Sequence, residues 1–138
     1  MAIKFIKQDA AVLLEAYNAR KDEYEALRAT GKWSGAVSHA GILIELALKL
    51  VICKNIGETK LPVMFQIHDL DLLLYCSGQK NNFLSQPNLR RNFDIVNKRW
   101  SMELRYKGAT QTQADSDLVH QALLDPLDGV LTFLAQCF

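Results

Sequence analysis

Trp33 to Lys54 reads WSGAVSHAGILIELALKLVICK, and this stretch decides the fold. Trp33, Val37, Ala40, Gly41, Ile44, Leu48, Val51 and Ile52 recur at steps of three and four residues, the period of an α-helix. Leu43, Leu46, Ala47, Leu50 and Cys53 cover most of the remaining circumference. A helix that is apolar nearly all round is a buried one, so this segment is predicted to be the central member of a helical bundle. Its polar remainder is thin: Ser38, Glu45 and Lys49. Glu45 precedes Lys49 by four residues, the favourable order for an ion pair on one face. Asn55-Ile56-Gly57 stops the helix.

Working outward, Ala10 to Ala29 is helical, with Val12, Ala16, Ala19, Tyr24 and Leu27 as its repeating positions and Gly31 as its C-terminal cap. On the other side, Glu58 to Gln66 is a connector, because Pro62 bars a helix through it. His68 to Cys76 is a short helix with Leu70, Leu73 and Leu74 inward, ended by Ser77-Gly78. Gln79 to Asn88 is polar and reads as a loop. Leu89 to Lys107 is helical again, with Phe93, Val96, Trp100 and Leu104 on one face and Gly108 closing it. Gln111 to Phe138 is the last helical region, its apolar face made by Leu123, Leu127, Val130, Leu131, Leu134 and Phe138. Pro126 lies inside it, and a kinked continuous helix is preferred over a new helix capped by Asp125. Strand alternation and internal repeats are absent from the sequence. These five helical segments predict an all-α, antiparallel up-and-down bundle forming a single domain over residues 1–138.

Composition agrees. With 138 residues, 49% hydrophobic and 22% charged, the chain can bury a core without disulfide or metal staples. No uninterrupted apolar run reaches the ~20 residues that span a bilayer. Lys4 and Lys7 interrupt the N-terminus too early for a signal peptide. Cys53, Cys76 and Cys137 are odd in number and widely spaced, which suits a reducing compartment. The expectation is a cytoplasmic domain without a membrane partner.

A net charge of +1 does not mark a nucleic-acid binder, but it hides an asymmetry. Residues 79–107 carry seven Lys and Arg against Asp94 and Glu103, while residues 108–138 carry four Asp and no cation. Arg91, Lys98 and Arg105 repeat every seven residues and share one side of their helix. Trp100 and Tyr106 interleave with these charges. Guanidinium groups beside aromatic rings are suited to gripping phosphates and stacking on bases. The competing reading is structural: the acidic last helix packs beside the basic one, placing Asp115 or Asp117 against these arginines.

Most catalytic chemistry is absent. The histidines, His39, His68 and His120, form no HExxH or HxH pair, and no Cys lies four residues from a His, so no metal site is predicted. The glycine-rich phosphate loops and GxSxG are missing, so no cofactor is predicted. Cys53 and Cys76 sit in apolar helical settings unsuited to a nucleophile. Asp69 and Asp71 are two residues apart and point to different sides of a helix. His68-Asp69 opens a helix, which fits capping better than a catalytic pair. For Glu45 and Lys49 two readings stand, a buried ion pair that fixes register or a polar notch lining a ligand groove.

Glu45-Leu46-Ala47-Leu48-Lys49, then the Leu61-Pro62 connector, then His68-Asp69-Leu70 with Leu73-Leu74, then Arg105-Tyr106, resembles the HEPN (higher eukaryotes and prokaryotes nucleotide-binding) family from about Trp33 to Tyr106. The resemblance implies an up-and-down helical bundle, often a homodimer. It implies one of three roles: metal-independent ribonuclease, inactive partner of a small nucleotidyltransferase, or nucleotide-binding and interaction module. The nuclease branch carries Arg, four to six residues, then His. His39, His68 and His120 all lack an Arg at that spacing, and Lys32 before His39 has the spacing with the wrong cation.

The sequence therefore leads to a non-catalytic HEPN-like module that binds a nucleotide or RNA phosphate through Arg99, Arg105 and Tyr106, with Lys49 and Glu45. A nucleotidyltransferase or other toxin–antitoxin or defence partner is implied by the resemblance. One alternative is a degenerate ribonuclease using His39 or His68 as acid and base. Another is a structural domain that dimerises through an apolar face at Phe133, Cys137 and Phe138.

Overall fold

The structure, a computed structural model, describes residues 8–100 and 110–138. The fold is an all-α bundle. In order, the helices are α1 (Ala10–Ala29), α2 (Trp33–Ile56), α3 (Leu70–Cys76), α4 (Lys80–Ser85), α5 (Pro87–Arg99), α6 (Gln113–Leu124) and α7 (Val130–Leu134). A 3-10 turn covers Val63–Phe65.

The central helix is α2. Its buried run is unbroken from Leu43 to Cys53, and it contacts α1, α3, α5, α6 and α7. Each fully buried Leu or Ile contributes roughly 1.5–3 kcal/mol of transfer free energy, so this helix dominates the core. By length and composition α2 is long and apolar enough to cross a membrane, but 83% of its most apolar window is buried within the protein. Helix α1 runs its full predicted length, and Gly31 with φ +73° turns the chain back along it. The inward stripe of α1 is Leu13, Tyr17 and Tyr24, however, and Val12 is exposed. The contact with α2 buries Leu13 and Tyr17 rather than Val12 and Ala16 in the first half of α1, while Tyr24 is buried and Leu27 half-buried as expected.

Two predicted features are corrected. The stretch read as a loop, Gln79 to Asn88, holds α4 and the start of α5, and Phe83 on α4 is fully buried. One aromatic anchor against Phe93 and Phe133 outweighs the polar composition around it. Helix α5 begins at Pro87, in the first-turn position where a missing N–H costs nothing. It ends at Arg99 with Trp100 as its C-cap; the part read as helix beyond Trp100 lies outside the described residues.

The second correction concerns Pro126. The last region is two helices, not one kinked helix. Asp125 adopts an extended φ/ψ of −50°, 131°, as a residue before proline must. Its carboxylate accepts the backbone N–H groups of Leu127 and Asp128, both at 2.9 Å. The chain then turns so tightly that a Cβ at Gly129 would meet the Asp125 backbone at 2.6 Å, and α7 follows. Leu127, read as part of the apolar face, is at the turn and 88% exposed.

The remaining ends follow their chemistry. Asp69 caps α3 by accepting from Leu72 N at 3.1 Å. Thr112 and Asp115 form a reciprocal capping box at the start of α6. An isolated antiparallel bridge between Asp9 and Lys60 ties the entry of α1 to the α2–α3 connector.

Candidate functional site

Glu45 and Lys49 sit one turn apart in the middle of α2, 8% and 2% exposed. Lys49 Nζ donates to Glu45 Oε2 at 3.3 Å. The second carboxylate oxygen of Glu45 accepts from His68 Nδ1 at 2.7 Å. The His68 side chain is 56% exposed, so a buried carboxylate holds a solvent-facing imidazole. In the tautomer whose Nδ1–H donates to Glu45, the lone pair lies on Nε2, which has no hydrogen-bond partner among the described residues. The sequence offered Glu45 and Lys49 as one pair and His68 as a separate cap; the fold joins all three.

His39 is placed differently. Nδ1 lies 3.1 Å from the Gly35 carbonyl and Nε2 lies 2.9 Å from Glu23 Oε2, so both ring nitrogens are occupied. The hydrogen bond from His39 holds the Glu23 carboxyl below its ordinary range. His120 meets Tyr24: the Tyr24 hydroxyl lies 2.9 Å from His120 Nδ1, and the two rings stack at 5.9 Å. Burial pushes the Tyr24 hydroxyl up to about 12. Burial, followed by the nearby Arg28 charge, pushes His120 down.

The basic helix, α5, presents its outer face. Arg90, Arg91, Lys98 and Arg99 line an open groove of about 510 Å³ with Leu84, Pro87, Asp94 and Ile95. Two of these cations meet acids of the chain: Arg90 Nε lies 3.4 Å from Asp94, and Arg99 Nε lies 3.8 Å from Asp115 on α6. The expected pairing with the acidic region is therefore real for Arg99. The Asp115 carboxyl is nonetheless held low chiefly by the hydrogen bonds from Thr112, with Arg99 the smallest contributor. Asp117 turns instead to Arg28 of α1, at 3.1 Å. Among the described residues, no carboxylate lies within ion-pair distance of Arg91 or Lys98, which are both exposed.

The predicted set is thus divided. Glu45 and Lys49 share a cluster with His68, and Arg99 stands at the α5–α6 boundary with Asp115. Arg105 and Tyr106 lie outside the described residues. Among the described residues no group of three or more His, Cys, Asp or Glu is arranged to hold a metal. The C-terminal apolar residues Phe133, Cys137 and Phe138 are half-buried against the core. Phe133 packs edge-on against Phe83, Phe138 against Tyr17, and the Cys137 thiol donates to the Phe133 carbonyl. Burial pushes the thiols of Cys53 and Cys137 up, away from nucleophilic use.

One feature has no counterpart in the sequence reading. Between α5 and α6 lies a cleft of about 330 Å³ whose polar lining is Asn88, Arg91, Asn92, Gln121, Asp125 and Asp128. Its signal was present as two i, i+4 polar pairs, Asn88/Asn92 and Gln121/Asp125, but only the packing of α5 on α6 brings the two pairs together. No family model, curated protein or solved structure matches this chain.

Proposed function

We propose that this chain is a non-catalytic helical module that binds a phosphate-bearing ligand, a nucleotide or RNA, on the outer face of α5. The observation that carries the reading is the pair Arg91 and Lys98. They stand two turns apart on one exposed face, about 10 Å along the helix axis, in a groove flanked by Arg90 and Arg99. Two cations without carboxylate partners among the described residues offer fixed charge to an anion, and the arginine fork suits phosphate oxygens. The groove's apolar members, Leu84, Pro87 and Ile95, give a sugar or base something to rest on.

The resemblance to HEPN domains adds the setting: a homodimer working beside a nucleotidyltransferase or another toxin–antitoxin partner, in the cytoplasm that the cysteine usage suits. Binding of ATP, GTP and a short RNA, followed by calorimetry and thermal shift at low salt, tests the reading. Binding that weakens steeply with salt supports it. Failure of all three ligands to bind or to raise the melting temperature removes it.

A second reading, a degenerate metal-independent ribonuclease, is favoured by the Glu45–His68 contact. A carboxylate on Nδ1 and an Nε2 without a partner among the described residues are what a histidine general base requires, whereas both nitrogens of His39 are occupied. Total RNA left intact after incubation with the protein in EDTA excludes this reading.

A further inference from the structure

The α5–α6 cleft and the α5 groove share a wall. Arg91 and Ile95 line both. A ligand whose phosphate rests in the groove can therefore reach into the cleft around a single pair of side chains. The chemistry of the cleft specifies what it would meet there.

The hydrogen bonds inside the cleft leave both acceptors and donors unspent. Asn92 Nδ2 donates to the Asp128 carbonyl at 2.9 Å, and Asn88 Nδ2 donates to Asp128 Oδ2 at 3.4 Å. Asp125 Oδ1 is taken by two backbone N–H groups, which also keep that carboxyl ionised by holding it below its ordinary range. The second oxygens of Asp125 and Asp128 and the amide oxygens of Asn88 and Asn92 remain. The cleft's donors are the Arg91 guanidinium, the Gln121 amide and the second N–H of the Asn88 and Asn92 amides. Its apolar floor is Ile95, Leu118 and Ala122. A planar ligand with adjacent N–H donors on one edge, for a carboxylate, and acceptors on another, for Arg91 and Gln121, fits this lining over its apolar surface.

We infer that the α5–α6 cleft is a base subsite selective for guanine, resting on the phosphate-binding reading of α5 and naming its ligand as a guanine nucleotide. The guanine N1–H and 2-amino group donate to the Asp128 carboxylate, while O6 and N7 accept from Arg91 and Gln121. Arg91, on the shared wall, serves both cavities, and Lys98 remains for the phosphate. Adenine carries an acceptor, N1, where guanine carries a donor, and this sets it against the carboxylate.

Guanosine and adenosine, which lack phosphate, report on the cleft alone; inorganic phosphate reports on the groove alone. By saturation-transfer NMR and calorimetry, guanosine is expected to bind at least about tenfold tighter than adenosine, the discrimination one bidentate base contact supplies. Asp128→Asn is expected to abolish that preference and leave phosphate binding unchanged. Gln121→Ala, at an exposed position, is expected to weaken guanosine about threefold without moving the melting temperature, and it keeps the test alive if Asp128→Asn unfolds the turn. Equal binding of the two nucleosides, no binding of either, or a guanosine preference untouched by both variants overturns the subsite. Loss of phosphate and RNA binding with guanosine binding intact strikes the α5 groove instead.

Discussion

The Trp100 indole lies against the backbone of Gly41, filling the space that a Cβ on that residue would take. This contact docks the end of α5 on α2 one turn from Glu45. Asn97, three residues before Trp100, donates to Asp71 of α3 at 3.0 Å. The C-terminal half of α5 is thus fixed at two points, against α2 and against α3. Arg99 lies between them in the chain, so its position depends on both.

Gly41→Ala is expected to force the indole out of its seat. Overpacking of this kind costs about 1–3 kcal/mol. The melting temperature should fall by several degrees and the tryptophan emission should shift to the red. A variant that melts and fluoresces like the native protein would show that the indole does not rest there.

The Glu45–Lys49 pair predicts an asymmetry between single and double substitutions. Lys49→Met leaves the Glu45 carboxylate buried with only His68 as partner, and a loss of about 3 kcal/mol is expected in urea unfolding. Glu45→Leu combined with Lys49→Met is expected to recover most of that loss, because no uncompensated charge remains. Additive losses in the double variant would contradict a coupled pair.

The Tyr24–His120 contact sets a pH dependence. His120 titrates lower in the folded protein than its ordinary value of 6.5, so the unfolded chain binds more protons in the window just below that value. The contribution of His120 is complete above about pH 6.5 and declines as pH falls below it. Tyr24 has the opposite sense. Its hydroxyl is raised from 10.0 to about 12, so stability is lost as pH climbs from 10 toward 12. Melting temperatures recorded from pH 5 to 8 should rise up to about pH 6.5 and level off above it, and His120→Gln should flatten the rise. An unchanged slope in His120→Gln would place the titrating group elsewhere.

Asp115 links the capping of α6 to the availability of Arg99. Asp115→Asn is expected to leave Arg99 uncompensated and to raise affinity for inorganic phosphate about threefold at low salt. The same substitution weakens the capping box at a cost of about 0.5–1 kcal/mol. Tighter phosphate binding in a less stable protein is the signature to look for, and it should vanish at high salt.

The fold was legible because its signals are local. The period of Trp33–Lys54 announced a buried helix before any partner was known, and Gly31, Gly57 and Gly78 marked helix ends where the chain turns with positive φ. Asp69 could be read as a cap because capping involves only neighbours along the chain. Reading failed where a distant contact outweighed local preference. Phe83 makes a helix of a polar stretch by packing on Phe93 and Phe133, and α2 buries Leu13 and Tyr17 in place of Val12 and Ala16 in the first half of α1.

The candidate sites divide along the same line. The i, i+4 spacing of Glu45 and Lys49, and the seven-residue spacing of Arg91 and Lys98, were properties of single helices and could be counted. That His68 would reach Glu45 across 23 positions, that Arg99 would meet Asp115, and that two amide-bearing helix faces would enclose a cleft were decided only by packing. Periodicity specifies which side of a helix is apolar. It does not specify which other helix that side meets, or at what rotation, because those depend on how all the side chains fill one shared volume.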